Sequence, residues 1–195
     1  MAGTERLGPD TTVAPPQDIN TVLSEAECLH REASVEAELD RMAEQITGEL
    51  ADADPLVLCV MVGALVTTAA LVTRLPFPVQ IDYVHVGRYR GATRGGRLLW
   101  HRHPELSLHG RTVLVIDDIL DEGYTLDAIL GYCHEAGAQR VRSAVLVEKR
   151  HGRPRADVLA DYVGLSVPDR YVFGYGMDYR SHLRNLTGIY ALKEG

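Results

Sequence analysis

The sequence predicts an α/β fold, a mainly parallel twisted sheet flanked by helices, and three features carry that reading. Strand-like and helix-like segments alternate through the middle of the chain, the pattern of right-handed crossovers between parallel strands. Thr112 to Ile116 is a continuous apolar run with no polar face, as a central strand covered on both sides requires. Leu56 to Thr73 carries no charge, but it changes character at Gly63, from LVLCVMV to ALVTTAALVTRL, so it divides into strand, tight turn and buried helix. That division, with Thr67, Thr68 and Thr73 inside it, sets the segment apart from a membrane span, whose lower length limit it touches.

The 195 residues, 46% apolar and 24% charged, suffice for one domain with a sizeable core and exclude a disordered or collagen-like chain. A formal charge of −7 argues against a protein that grips nucleic acid by general electrostatics. Cys28, Cys59 and Cys133 are odd in number and widely spaced, with no Cys-x-x-Cys pair, so they read as reduced, mostly buried thiols and not as a disulfide framework or zinc site. His101 and His103 likewise lack a metal-ligand pattern.

From the N-terminus, Met1 to Gln17 is rich in Gly and Pro without an apolar h-region, which predicts a flexible leader rather than a signal peptide and a cytoplasmic protein that needs no membrane. Residues 18–195 then form a single domain. Ser24 with Glu27 three residues later has the form of a capping box, so a helix is expected to begin there. A second helix follows, with Val35, Leu39, Met42 and Ile46 as its apolar stripe. Pro55 opens the strand Leu56 to Val62, and its helix runs to about Thr73. A strand from Val79 to about Val86 leads into Gly87 to Arg97, whose glycines and arginines predict a mobile loop. After the strand Thr112 to Ile116 comes a helix with Leu126, Ile129, Leu130 and Cys133 on its buried side and Gly137 as its C-terminal cap. Val141 to Val147 is a further strand, ending in Glu148-Lys149-Arg150.

In open parallel sheets ligands bind beyond the carboxyl ends of the strands. That rule selects Met61 to Leu65, Asp117 to Thr125, and Glu148 to Arg150. In VLVIDDILDEGYTL, Asp117 and Asp118 lie at a strand end, and Asp121-Glu122-Gly123-Tyr124-Thr125 crosses to a helix start. Gly123 permits positive φ, so successive N–H groups can converge into an anion cradle, and Thr125 adds a hydroxyl. Carboxylates beside such a cradle suit a ligand that carries a diol as well as a phosphate, which is a sugar phosphate. Taken singly, Lys149 reads as a strand-end surface lysine, Tyr171 as core packing and Asp178 as a surface acid; Arg150-His151-Gly152-Arg153-Pro154-Arg155 reads as solvated surface rather than an RNA contact.

VLVIDDILDEGYT resembles the phosphoribosyl-diphosphate motif of the type I phosphoribosyltransferases. DYVGLSVPDRYVFGYGMDYRSHLRNL resembles the hypoxanthine-guanine members of that family, and the similarity extends from about Val22 to Leu192. The resemblance implies that family's fold, with a small hood made from the N- and C-terminal segments. It implies purine salvage: transfer of the phosphoribosyl group from phosphoribosyl diphosphate to a 6-oxopurine base, hypoxanthine or guanine, giving the purine nucleotide product and pyrophosphate. Asp117 and Asp118 would bind the ribose hydroxyls, directly or through magnesium (Mg2+), and Asp178 would be a further magnesium-associated carboxylate. Asp121, Glu122, Gly123, Tyr124 and Thr125 would hold the 5′-phosphate, with Asp121 also facing purine N7 as the proton-handling group. Lys149 would donate to the 6-oxo oxygen, Tyr171 stack on the base, Val172 offer backbone contacts and Arg184 lie near pyrophosphate. Gly63 belongs to the pyrophosphate turn and Tyr89 to the mobile loop. The family also implies a homodimer or homotetramer.

The sequence departs from the family pattern where Val62 replaces a lysine before Gly63, and where Arg88-Tyr89 replaces Ser-Tyr. Arginines 88, 90, 94 and 97 are candidates to supply the missing charge; the family often holds this turn in a non-proline cis peptide, which would fall at Met61-Val62, and the residues themselves do not decide it. A nucleotide-sensing regulator on the same fold is the alternative from another class. The acidic balance and the presence of Lys149, Tyr171 and Asp178 weigh against it. Transferases for adenine, orotate or uracil fit the first motif but not the second.

Overall fold

The computed structural model describes residues 16–88 and 98–193. The main sheet has six strands. β2 (Leu56–Met61), β3 (Gln80–Arg88), β5 (Thr112–Leu120), β6 (Arg140–Arg150) and β7 (Tyr162–Pro168) run parallel, and β4 (Leu98–Arg102) closes one edge antiparallel to β3. The order is β4-β3-β2-β5-β6-β7, so β2 and β5 lie side by side at the centre with the chain crossing over between them. A second sheet joins the chain's two ends in the order β1-β9-β8, from β1 (Glu27–His30), β8 (Val172–Phe173) and β9 (Ile189–Ala191).

Side-chain parity explains why the central strands are apolar throughout. Val57, Leu114, Ile116 and Leu146 face α2 (Glu32–Leu50) and α3 (Leu65–Val72), and pack with Val35, Leu39, Met42 and Ile46. Their neighbours Leu56, Leu58, Val113, Val115 and Val145 face α4 (Tyr124–Glu135) and pack with Leu126, Ile129 and Cys133. A strand with both faces in a core has no position for a polar side chain until it emerges, and β5 emerges at Asp117 and Asp118. Phe173, fully buried, packs with Ile19 and Leu183 beneath the small sheet.

The helix over the Val35–Ile46 stripe, the strand-turn-helix division at Gly63 and the cap at Gly137, whose φ is 80°, are all present. No helix of the described residues is long and apolar enough to cross a membrane. Four boundaries differ from expectation. Ser24 does not start a helix: α1 (Pro16–Glu25) ends there, Ser24 Oγ donates back to the Thr21 carbonyl at 2.8 Å, and Glu27 opens β1. The competing influence is β9, a partner at the far end of the chain that no local pattern displays. Pro16 and Gln17 belong to α1, while the rest of the expected leader lies outside the described residues. β3 continues through Gly87 and Arg88, and residues 89–97 of the expected loop, Tyr89 included, lie outside the described residues. β5 runs four residues past Ile116, because β6 continues to pair with it as far as Leu120. Of the cysteines, Cys59 and Cys133 are buried and Cys28 is exposed; all are free.

Leu114 is fully buried on the central strand. Leu114→Ala is expected to cost about 2 to 5 kcal/mol, read as a lower urea midpoint with an unchanged slope.

Candidate active site

The carboxyl ends of β2 and β5 and the loop after β8 enclose a cleft of about 340 Å³. Gly63, Asp117, Asp118, Asp121, Gly123, Thr125, Asp178 and Arg184 line it, together with Val60, Met61, Val86, Ile119, Leu120 and Leu126. Among the described residues Arg184 is the only cation on its wall, facing four aspartates.

The first wall is the turn after β2. The Met61-Val62 peptide is cis. Gly63 is required because Asp118 packs against it: a Cβ there would overlap that carboxylate. The second wall begins with the acid pair. Asp117 is buried, and its Oδ1 accepts the N–H of Asp118 at 2.9 Å. Burial and the neighbouring Asp118 charge push the Asp117 carboxyl well above the usual range. Burial raises Asp118 as well, although hydrogen bonds from Asp117 and the backbone and the charge of Arg184 draw it partly back. Two adjacent buried carboxylates with so little cationic compensation suit a ligand bearing hydroxyl donors or a hard cation.

The third wall is the turn into α4. Gly123 has φ 82°, the left-handed conformation expected of it, and a side chain there would also strike Val158 Cγ1 at 2.7 Å. Beyond it the first amides of α4 lack partners within the helix and lie beside Thr125, the arrangement that receives a phosphate. Asp121 stands before this turn. Its Oδ2 accepts from Lys149 Nζ at 3.0 Å; its Oδ1 lies 2.6 Å from Arg153 Nη2 and 3.1 Å from His151 Nε2. Burial pushes this carboxyl up, but the hydrogen bonds and charges of Lys149 and Arg153 outweigh it and hold the group below its ordinary range.

The fourth wall comes from the loop after β8. Arg184 pairs with Asp178 at 2.7 Å and donates to the Gly176 carbonyl at 2.6 Å, while Asp178 Oδ2 accepts the Ser181 N–H at 2.7 Å. Tyr171, half exposed, donates its hydroxyl to the Asp178 carbonyl at 3.1 Å and meets Tyr179 edge-on at 5.7 Å.

The structure thus brings Gly63, Asp117, Asp118, Asp121, Gly123, Thr125, Asp178 and Arg184 to one cleft, with Lys149 attached through Asp121. Glu122, Tyr124, Tyr171 and Val172 are not on its wall: Glu122 pairs with Arg153 at 2.9 Å, Tyr124 is exposed, and Val172 is buried in β8. Lys149 is buried at the end of β6 and not a free surface lysine. The segment from Arg150 to Arg155 is largely exposed, as expected of solvated surface, but some of its side chains turn in to the site. The His151 side chain is fully buried, Arg153 joins Asp121, Glu122 and Asp169, and Arg155 lies 3.6 Å from Glu148. A run of basic residues immediately after a strand end that carries a site lysine was the only signal for them.

The fold and the cleft are those of the type I phosphoribosyltransferase class. Residues 25–180 match the phosphoribosyl transferase domain family. The chain is 33% identical over 163 residues to hypoxanthine-guanine phosphoribosyltransferase of Bacillus subtilis (strain 168), covering 83% of this chain and 90% of that one. It is 31% identical over 166 residues to hypoxanthine-guanine-xanthine phosphoribosyltransferase of Tritrichomonas foetus, covering 85% and 91%. A crystal structure of a hypoxanthine phosphoribosyltransferase from Staphylococcus aureus superposes with a TM-score of 0.83 at 28% identity, over 89% of this chain and 95% of that one. The chain belongs to the hypoxanthine-guanine branch of the phosphoribosyltransferase family.

The acid pair gives a stability prediction. The unfolded chain ionises Asp117 near pH 3.9, and the folded chain holds the proton to higher pH, so the folded state binds more protons between those values and stability falls as pH rises across that window. Asp117→Asn is therefore expected to raise the thermal midpoint of the ligand-free protein at neutral pH by at least about 2 °C, with the difference from wild type shrinking as pH is lowered toward 4. A lower midpoint for the variant at pH 7 in a calorimetric scan would contradict this.

Proposed function

We propose that this protein carries out purine salvage, transferring the 5-phosphoribosyl group from phosphoribosyl diphosphate to hypoxanthine or guanine and releasing pyrophosphate with IMP or GMP. The observation that carries the reading is the buried Lys149 ammonium held at 3.0 Å from Asp121, the acid that stands before the phosphate turn. An ammonium there offers a donor to a 6-oxo oxygen and opposes the 6-amino group of adenine, where two donors would face each other.

In this reading Asp117 and Asp118 accept from the ribose hydroxyls, and the amides of residues 123–125 with the Thr125 hydroxyl take the 5′-phosphate. These contacts fix the anomeric carbon against the base, so much of the barrier to displacement is met by positioning. Tyr171 stacks on the purine and the Val172 backbone meets its edge. Asp121 accepts the N7 proton as N9 attacks the anomeric carbon, while Lys149 holds the 6-oxo form. Arg184 receives the departing diphosphate.

The donor set suits magnesium: hard carboxylate oxygens at Asp117, Asp118 and Asp178, the first of them buried without a basic partner. Among the described residues no group of three or more His, Cys, Asp or Glu side chains forms a cage of its own. That agrees with an ion that keeps waters and takes its remaining ligands from the substrate. Asp117, Asp118 and Asp178 would hold it, and it would supply positive charge to offset the diphosphate in a cleft that carries four aspartates. A homodimer or homotetramer in the cytoplasm completes the proposal.

Purified protein incubated with magnesium, phosphoribosyl diphosphate and hypoxanthine, guanine, xanthine or adenine should form nucleotide from the first two and none from adenine. A nucleotide-sensing regulator would form none from any base. Lys149→Ala is expected to lose about 1 to 3 kcal/mol of transition-state stabilisation, measured as kcat/KM for hypoxanthine; an unchanged value would remove its assigned role.

A further inference from the structure

Arg153 and His151 are the groups around Asp121 that this mechanism leaves unused. Arg153 has three carboxylates about one guanidinium: Asp121 through Nη2, Glu122 through Nη1, and Asp169 through both Nε at 3.0 Å and Nη2 at 2.9 Å. Asp169 stands two residues before Tyr171, so this cation ties the phosphate turn to the segment that presents the stacking ring. His151 is packed beneath. Its Nδ1 accepts the Arg153 N–H at 3.2 Å, which leaves the proton of a neutral ring on Nε2, and Nε2 points at Asp121, 3.1 Å from Oδ1 and 3.2 Å from the carbonyl.

The two oxygens of Asp121 are therefore not equivalent. Oδ1 is engaged by Arg153 and by a fully buried imidazole, whereas among the described residues Oδ2 accepts from Lys149 alone, the group with a second task at the base. We propose that His151 and Arg153 are positioning residues for Asp121: they hold Oδ1, keep the carboxylate ionised, and leave Oδ2 as the oxygen that receives the purine N7 proton. The inference rests on the purine-transfer reading above. It adds that the proton-handling group works through a buried histidine and a bridging arginine from the segment after β6.

The charged and titratable groups facing this carboxylate are Lys149 from β6, His151 and Arg153 from the segment after it, and, across Arg153, Glu122 and Asp169. Removing the Arg153 charge leaves burial less opposed, so the Asp121 carboxyl should titrate at higher pH. A carboxylate that must be ionised to accept a proton then loses activity on the acid side first. Arg153→Met is expected to lower kcat/KM for hypoxanthine about tenfold or more and to move the acid limb of its pH profile upward, with Arg153→Lys close to wild type. His151→Gln keeps a donor near the Nε2 position and should retain most activity; His151→Leu should not. The carboxyl titration is read independently by ¹³C NMR of aspartate-labelled protein, with the Asp121 signal assigned from Asp121→Asn. A merely structural role for Arg153 would lower the thermal midpoint while leaving the acid limb and the carboxyl titration where they are, and that result overturns the proposal. Should the wild type form no nucleotide, the purine-transfer reading fails by itself. The NMR titration still decides the role of Arg153, and an unshifted Asp121 signal in Arg153→Met overturns it.

Discussion

Two carboxylates side by side at the end of a buried strand are the constraint around which the rest of this molecule is arranged. Asp117 and Asp118 follow four consecutive core residues of β5, so the chain delivers them together to the mouth of the sheet. Ionised and dry, they oppose folding. Protonated, they cannot serve a diol as acceptors on both oxygens. A protein that retains such a pair has a site whose electrostatics are completed by what binds. The surroundings are shaped to it: Gly63 lacks a side chain so that Asp118 can seat against the cis turn, and Arg184 reaches the same cleft while remaining paired with Asp178.

Asp121 represents the opposite solution only three residues away. It is part-buried too, but Lys149, Arg153 and His151 surround it, and its carboxyl sits below the ordinary range instead of above it. Neighbouring acids of one type are thus driven apart by their burial and by their partners. In the proposed reaction the pair takes hydroxyls and a cation, and the lone carboxylate takes a proton. Separation of this kind within one cleft is how identical side chains acquire different chemical roles. It also explains how a cleft whose charged lining is four aspartates to one arginine can suit a polyanion: the charge balance belongs to the complex.

The sheet and most of the cleft were legible in the residues. The apolar run of β5, the break at Gly63 and the stripe of α2 each carry a period that local geometry imposes, and the string of Asp, Gly and Thr after β5 has one chemical sense at a strand end. The capping box at Ser24 was misread because the same short pattern occurs at a helix end, and the strand that follows it is held by β9 at the other end of the chain. The basic run after Lys149 lies mostly at the surface, as its composition suggests, but composition gives no sign of the buried His151 side chain within it. Whether His151 is buried or Arg153 bridges three acids depends on Glu122 and Asp169 arriving from other segments.

By itself, then, the amino-acid order determined the class of fold, the strand ends at which a ligand must sit and the acids and glycines that meet it, since all of these follow from periodicity and from residue chemistry within a dozen positions. Tertiary structure alone decided which carboxylate is dry and which is paired, that Lys149 lies inside rather than on the surface, and that a histidine and an arginine stand behind Asp121. Those outcomes rest on distances between segments far apart along the chain, and on a local dielectric that exists only once the segments have packed.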